Sequence, residues 1–188
     1  MKSSLKNMIL VLVAITAVAA AGVGGVYSLT KEPIAKAKVA KTNAAIGEVM
    51  PEFNNNPSQD TTAVNINGTK VYVYTAKMDD AVVGYGVECF SNNGFGGLVK
   101  LLVGITPEGE ITKISVLEHK ETPGLGDKID PAKSDFRVQF EGKTPENFKI
   151  SVKKDGGDVD AITASTITSR AYCEAVNQAF ETFNGIAK

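Results

Sequence analysis

The stretch Asp160-Ala-Ile-Thr-Ala-Ser-Thr-Ile-Thr-Ser169 joins a hydroxyl-rich segment to the clearest amphipathic pattern of this chain. Five of its ten residues carry a hydroxyl, and apolar residues then recur at helical spacing from Ile167 to Ile186. That spacing predicts a helix whose N-terminus holds the hydroxyl cluster. Four backbone N–H groups lack partners at such a terminus, and the helix dipole is positive there. The hydroxyls are therefore either N-caps, which the local pattern favours, or part of a phosphate seat.

The segment before this helix shows repeated strand and turn signals. Runs rich in β-branched and apolar residues cover 70–76, 81–90, 98–105 and 111–117, and a weaker one covers 148–152 before a hairpin-type turn at 155–157. Most connections are only a few residues long, and such short links join antiparallel strands. The predicted fold class is therefore α+β, with an antiparallel sheet packed with helices.

The N-terminal segment reads as a membrane anchor. Residues 8–27 carry no charge, and a helix of that length spans about 30 Å, the thickness of a bilayer's hydrocarbon core. A cleaved signal peptide is the alternative, but the run is longer than a typical signal core. Lysines on both sides leave the topology open, and the signal-like start favours a domain on the extracytoplasmic side of the cytoplasmic membrane.

These signals divide the chain into four parts. Residues 1–7 form a short basic N-terminus, 8–28 the transmembrane anchor, 29–50 a stalk helix and 51–188 the folded domain. In the stalk, Thr30 is placed to cap the helix and Pro33 lies in its first turn. We expect the stalk to dock partly on the domain through a weak apolar stripe near one helix face, formed by Ile34, Ala37, Ala45, Ile46 and Val49.

Composition excludes several classes of function. The net charge is about −1, so a nucleic-acid footprint is not expected. His119 is the only histidine, and Cys89 and Cys173 are the only cysteines, which leaves no recognisable metal-ligand set. The cysteines are interpreted as two buried thiols, with a disulfide as the alternative.

A second informative stretch, Glu118-His-Lys-Glu-Thr-Pro-Gly-Leu-Gly-Asp127, follows the fourth strong strand signal. Pro123-Gly124 is a strong turn signal, and two glycines bracket Leu125. On its own the pattern is typical of a polar loop. The glycine-rich segment 91–97 lacks the dinucleotide-binding spacing, although its glycines would let a flat ring approach the backbone.

Together, His119-Lys-Glu-Thr-Pro-Gly-Leu-Gly126 and Asp160–Ser169 resemble the FMN-binding domain family. The family includes the G subunit of the Rnf electron-transport complex and the C subunit of the sodium-translocating NADH:quinone reductase. The resemblance covers nearly the whole chain, and the short length is more similar to the Rnf subunit.

The resemblance implies that FMN is attached covalently, through its phosphate, to a threonine by a dedicated flavin transferase. The family motif Asp-x-x-[Ser/Thr]-Gly-Ala-Thr places the modified residue at Thr166, with Asp160 and Thr163 matching. Ala164 and Ser165 depart from the usual glycine and alanine, and Ser165, Thr168 and Ser169 are rival hydroxyls. The remaining FMN-binding residues implied by the two motifs are Thr168, Ser169, His119, Glu121, Thr122, Pro123, Gly124, Leu125 and Gly126.

The function implied by the resemblance is electron transfer without independent turnover. The chain would be a membrane-anchored flavoprotein subunit of an Rnf-type ferredoxin:NAD oxidoreductase, coupled to sodium or proton transport. Its partners would be the other membrane subunits, the flavin transferase and membrane lipid. Two alternatives stay open: a free-standing extracytoplasmic FMN shuttle to a terminal reductase, and a flavin-free binding module.

Overall fold

The computed structural model describes residues 4–66 and 68–186, so residues 1–3 of the predicted basic N-terminus lie outside the described residues. The N-terminal helix α1 runs without a break over Leu5–Val49 and is long and apolar enough to cross a membrane. The predicted helix start at Thr30 is wrong: its hydroxyl donates to the Val26 carbonyl at 2.9 Å, and Pro33 lies inside the helix. A Thr followed by Pro resembles a helix start locally, but the Thr hydroxyl bonds back to the preceding turn instead.

The last turns of α1 belong to the compact unit 42–188. Ala45, Ile46 and Val49 are buried there, which confirms the predicted partial docking, whereas Ile34 and Ala37 of the predicted stripe are exposed. Glu48 accepts hydrogen bonds from Arg137 and from the Ser115 hydroxyl and so fixes this end of the helix.

The domain is built on one five-stranded antiparallel sheet, whose strands follow each other in sequence order. The strands are β1 Thr61–Ile66, β2 Thr69–Met78, β3 Ala81–Gly94, β4 Gly97–Ile105 and β5 Ile111–His119. With the helix α2 over Thr166–Ile186, this architecture confirms the predicted α+β class.

Three strand predictions differ from the structure. β1 was missed because it is a polar, half-exposed edge strand without a strong apolar pattern. β3 continues through the glycine-rich segment to Gly94, since the ladder to β4 tolerates the glycines with a register shift. The expected strand at 148–152 does not form; Val152 makes only an isolated parallel bridge to Val159, around a short 3₁₀ helix, Lys153–Asp155.

The main core lies between the sheet and α2. Large side chains such as Leu101, Ile114 and Tyr172 are almost fully buried there. Burial of an aliphatic side chain such as Leu101 or Ile114 stabilises the fold by about 1.5–3 kcal/mol. The opposite sheet face is covered by the end of α1, where Val49 packs with Leu102. Two more 3₁₀ helices, Gly126–Ile129 and Phe136–Phe140, pack against the main core through Ile129, Phe136 and Phe140.

The sheet topology brings one turn and one loop to the same end of the domain. The turn at residues 95–96 links β3 to β4, and the β4–β5 register pairs Val99 with His119, so the loop after β5 lies beside this turn. The contact is close: a Cβ atom on Gly96 would overlap the carbonyl oxygen of Lys120. Only glycine fits there, which explains part of the glycine-rich segment.

Candidate functional site

Three segments enclose a slot of about 320 Å³ at this end of the domain. They are the β3–β4 turn, the loop that follows β5, and the start of α2. We call this cavity the slot. Its lining residues are Phe95, Glu121, Thr122, Leu125, Gly126, Ala164, Ser165, Thr166, Ile167 and Thr168.

The Glu121 carboxylate connects all three segments. Its Oε2 accepts a hydrogen bond of 2.6 Å from the Thr168 hydroxyl, and its Oε1 accepts one of 3.0 Å from the Gly96 N–H. Glu121 is only 5% exposed. Gly126 packs directly on this pair, since a Cβ there would lie 2.5 Å from the carboxylate and 2.7 Å from the Thr168 hydroxyl. The walls of the slot are therefore held together by one buried side chain.

The start of α2 presents uncapped amides. The Ser169 N–H donates to the Ser165 carbonyl at 3.0 Å, so the three preceding amides have no acceptor within the helix. Across residues 4–66 and 68–186, no side chain caps the amides of Thr166, Ile167 or Thr168. The Ser169 hydroxyl instead donates to the Ser165 carbonyl and accepts from the Ile162 N–H, which makes the N-cap interpretation of the hydroxyl cluster wrong.

The five hydroxyls of the cluster differ sharply in their surroundings. Thr168 and Ser169 are buried and hydrogen-bonded, as given above. Thr163 is exposed and lies outside the slot lining, and Ser165 is buried. Thr166 is half-buried on the slot, and in the part of the chain that the structure describes its hydroxyl makes no hydrogen bond. Of the five hydroxyl residues of the cluster, Thr166 is thus the most accessible one that lines the slot.

The rim of the slot is apolar. Phe95, Leu125 and Ile167 are 69%, 44% and 48% exposed, although each is a large hydrophobic side chain. They come from the three different segments and surround one cavity. Such clustering of exposed apolar side chains marks a binding site rather than scattered surface residues.

The chain is similar to known proteins in sequence. Residues 94–181 match the FMN-binding domain family. The G subunit of the ion-translocating oxidoreductase complex of Haemophilus influenzae (strain PittEE) is 38% identical over 165 residues, which is 82% of this chain and 76% of the relative. The protein of the same name from Escherichia coli (strain K12) is 38% identical over 162 residues, covering 82% and 79%. That from Vibrio atlanticus (strain LGP32) is 37% identical over 194 residues, covering 98% and 92%.

The chain belongs to the family of G subunits of ion-translocating oxidoreductase complexes. The FMN-binding domain of this family begins at the end of β3 and includes most of α2, so it contains the whole slot. Among solved structures, Shewanella oneidensis NqrC aligns with a TM-score of 0.45 at 20% identity, over 70% of this chain and 66% of that one.

The slot fits the cofactor for which the family is named. A flat ring system needs a concave, largely apolar site with a few placed polar groups, typically of about 300–1,000 Å³. The slot has an apolar rim, one buried carboxylate and, beside Thr166, a helix terminus suited to a phosphate. The residues that line the slot therefore suit both the flat ring and the phosphate of FMN.

The structure brings together seven of the thirteen predicted site residues on the slot lining. These are Glu121, Thr122, Leu125, Gly126, Ser165, Thr166 and Thr168. Phe95, Ala164 and Ile167 also line it. The loop around Phe95 was predicted as a candidate site for the flat ring, whereas Ala164 and Ile167 were not among the predicted binding residues. Phe95 had a usable signal, a large apolar residue at the tip of a glycine-rich turn. Ile167 was indistinguishable from the apolar positions of α2.

The other predicted residues lie around the slot. The His119 ring accepts a hydrogen bond at Nδ1 from the Glu121 N–H at 3.2 Å, which orders the loop. Pro123 and Gly124 form an exposed turn, with Gly124 at a φ of +79°. The Asp160 carboxylate pairs with Lys153 Nζ at 2.7 Å, on the outer side of the segment that leads into α2.

Ala164 adopts the left-handed conformation, with a φ of +61°. This is the position at which the FMN-binding motif usually has glycine. The left-handed region costs a non-glycine residue about 1–2 kcal/mol. The segment before Thr166 therefore keeps the glycine-like turn in spite of the alanine.

The two cysteines lie outside the slot lining. Cys89 and Cys173 are free and buried, and burial raises the pKa of the Cys173 thiol to about 12 and that of Cys89 further, so neither is a ready nucleophile. The two-thiol interpretation is thus confirmed. No group of three or more metal-binding side chains occurs within residues 4–66 and 68–186.

Proposed function

We propose that this chain is the FMN-carrying electron-transfer subunit of an ion-translocating oxidoreductase complex, with FMN bonded through its phosphate to Thr166. The observation that carries the proposal is the environment of Thr166. Its hydroxyl is half-buried, makes no hydrogen bond to any other described residue, and opens on the slot of an FMN-binding domain.

The surroundings suit a phosphodiester at this position. Such a linkage keeps one negative charge, which the positive end of α2 and the uncapped amides of Thr166, Ile167 and Thr168 would stabilise. The neighbouring hydroxyls of Thr168 and Ser169 are already used within the protein, which leaves them poor rivals for modification.

The redox chemistry would be supplied by the flavin, and the chain would bind and orient it. The rim formed by Phe95, Leu125 and Ile167 would shield the ring from water on three sides. Glu121, through Thr168 and Gly96, would hold the walls of the slot at a fixed separation. Within the described chain, we assign no acid or base that would act on a separate substrate.

The finer assignment follows the family resemblance. We propose residues 8–28 as a single-pass anchor in the cytoplasmic membrane, 29–50 as the stalk and 51–188 as an extracytoplasmic FMN-binding domain. A flavin transferase would load the cofactor. The complex would be an Rnf-type ferredoxin:NAD oxidoreductase that couples electron flow to sodium or proton transport, with the other membrane subunits and membrane lipid as partners.

The covalent linkage is tested by producing the full chain in membranes together with a flavin transferase. The denatured band is expected to fluoresce under ultraviolet light, and Thr166→Ala is expected to abolish the signal. Thr62→Ala is the control, because Thr62 is an exposed hydroxyl residue of β1 outside the slot lining and outside both motifs, and it should stay fluorescent. A colourless wild-type protein would contradict the proposed function.

Assembly is tested by purification from the native membrane. Co-elution with multi-span subunits supports the complex, whereas a flavin-bearing chain that elutes alone supports the free-standing shuttle.

A further inference from the structure

Glu121 differs from the other lining residues of the slot because it carries an acidic side chain and they do not. The carboxylate is 5% exposed and both oxygens accept hydrogen bonds, but the two donors, the Thr168 hydroxyl and the Gly96 N–H, are neutral. Among residues 4–66 and 68–186, no lysine, arginine or histidine forms an ion pair with it. A buried carboxylate without a cation is costly and therefore unusual.

The packing of the backbone encloses this charge. Gly126 lies against Glu121 on one side, and Gly94 lies against it on another, because a Cβ at either position would come within 2.5 Å of a carboxylate oxygen. Glycines from two segments thus leave room for the carboxylate and admit no larger residue.

We propose that Glu121 is a positioning residue, which fixes the walls of the slot, and that its charge also lowers the reduction potential of the flavin bound there. This inference rests on the proposed FMN function of the same site. Each electron delivered to a flavin here adds negative charge beside a fixed carboxylate, in a site shielded from water. The repulsion makes the reduced cofactor a stronger electron donor.

The two hydrogen bonds determine how strongly this charge acts on the slot. A donor to a carboxylate stabilises its charge and partly compensates it. The Thr168 hydroxyl gives the shorter of the two bonds, at 2.6 Å. Removing that hydroxyl should therefore strengthen the effect of Glu121, whereas removing the charge should abolish it.

The test measures the flavin midpoint potential of the full-length, FMN-loaded protein by equilibration with reference dyes. Glu121→Gln removes the charge at nearly constant size. The amide oxygen can still accept from the Gly96 N–H and the amide nitrogen can donate to the Thr168 hydroxyl, so the contacts between the walls of the slot are kept. We expect it to favour the reduced flavin by about tenfold in the reduction equilibrium, which is a rise of about 30 mV for a two-electron couple. Thr168→Val keeps the charge but removes one donor, and the potential should fall.

Glu174→Gln is the matched control. This carboxylate also links α2 to the β3–β4 hairpin, accepting from the Ser91 hydroxyl and the Asn93 amide at 2.7 and 2.8 Å, but it is exposed and lies outside the slot lining. Its loss should leave the potential unchanged.

The outcomes separate this inference from the proposed function. A wild-type protein without flavin contradicts the proposed function, and the present inference falls with it. A flavin-bearing wild type with an unchanged potential in Glu121→Gln, or an equal shift in Glu174→Gln, overturns the role of Glu121 alone. If Glu121→Gln does not retain flavin, Thr168→Val decides: a fall in potential supports the role, and an unchanged or raised potential overturns it.

Discussion

Two buried glutamates of this domain have the same kind of neighbour but different electrostatic settings. On the sheet face covered by the end of α1, Glu88 accepts a hydrogen bond of 3.0 Å from the Tyr74 hydroxyl, and Lys100 Nζ lies 2.8 Å from its other oxygen. On the slot, Glu121 accepts from the Thr168 hydroxyl and has no cation among the described residues. The two are 3% and 5% exposed.

The difference separates a structural charge from a functional one. Glu88 and Lys100 cancel each other, so their pair fastens two strands and leaves little net field. Burial and the charge of Glu88 raise the pKa of Tyr74, which keeps its hydroxyl a proton donor to the pair. Glu121 fastens three segments as well, but its uncompensated charge faces a cavity, where it acts on whatever binds there.

The largest expected effect on stability comes from breaking the Glu88–Lys100 pair. Lys100→Met keeps the aliphatic stem but leaves Glu88 as a buried charge without a counter-ion. Breaking a buried pair costs about 3–5 kcal/mol, and we expect about 3 because the Lys100 side chain is 29% exposed. The unfolding temperature should drop by roughly 6–12 °C, at about 2–4 °C per kcal/mol. Circular dichroism of the detergent-solubilised chain measures it.

The control is the double variant Glu88→Gln/Lys100→Met, which removes both charges and should recover much of the loss. A single variant as stable as the wild type would show that Glu88 and Lys100 do not form a compensated pair.

A third buried carboxylate, Asp127, resembles Glu88 although it lies in the loop of Glu121. The Lys133 ammonium, 2.5 Å from Asp127 Oδ2, donates a hydrogen bond that lowers the pKa of the carboxyl below its usual value. A lowered folded-state pKa gives stability that is present above the unfolded value of about 3.9 and lost as pH falls through the folded value. The wild type should thus be more stable than Lys133→Met at neutral pH.

Acid unfolding followed by circular dichroism checks this linkage. The difference in stability between wild type and Lys133→Met is expected to shrink as pH falls from about 5 into the range where Asp127 takes up its proton. A difference that stays constant over that range would mean that the pair is not the source of the stability.

The smallest expected effect concerns Ala164, the residue with a strained backbone two positions before Thr166. Ala164→Gly removes a left-handed alanine, which relieves about 1–2 kcal/mol, while the flexibility of glycine in the unfolded chain costs about 0.5–1 kcal/mol. We expect a net gain of roughly 0.5–1 kcal/mol in the free energy of unfolding, with flavin attachment unchanged. Denaturant titration measures it, and Ala161→Gly, without a left-handed backbone, is the control that should not gain. A loss of stability in Ala164→Gly would contradict the claim that the left-handed backbone of Ala164 is strained.

Much of the fold was predictable because its signals are local. The amphipathic spacing of α2 and the apolar runs of β2 to β5 are strong periodic patterns, and their short links imply antiparallel pairing. β1 lacks such a pattern, because an exposed edge strand has little apolar surface to bury. The unbroken α1 was missed because a Thr–Pro signal is the same at a helix start and inside a helix.

The site was predictable in its members but not in its contacts. The two motifs pointed to the loop after β5 and the start of α2, with Thr166 as the proposed attachment residue, since the hydroxyls and glycines are visible in sequence. Which hydroxyl stays unbonded depends on partners far away in sequence: Thr168 is taken by Glu121, 47 residues earlier. Phe95 and Ile167 join the rim only because the fold brings three distant segments together.

The most direct test of the central claim is a mass map of the full-length protein isolated from membranes. The account predicts that the peptide containing Thr166 is heavier by one FMN less one water, that fragmentation places the added mass on Thr166, and that Thr166→Ala lacks it. An unmodified peptide from a protein made with a flavin transferase, or the mass on Thr163, Ser165 or Thr168, would contradict it.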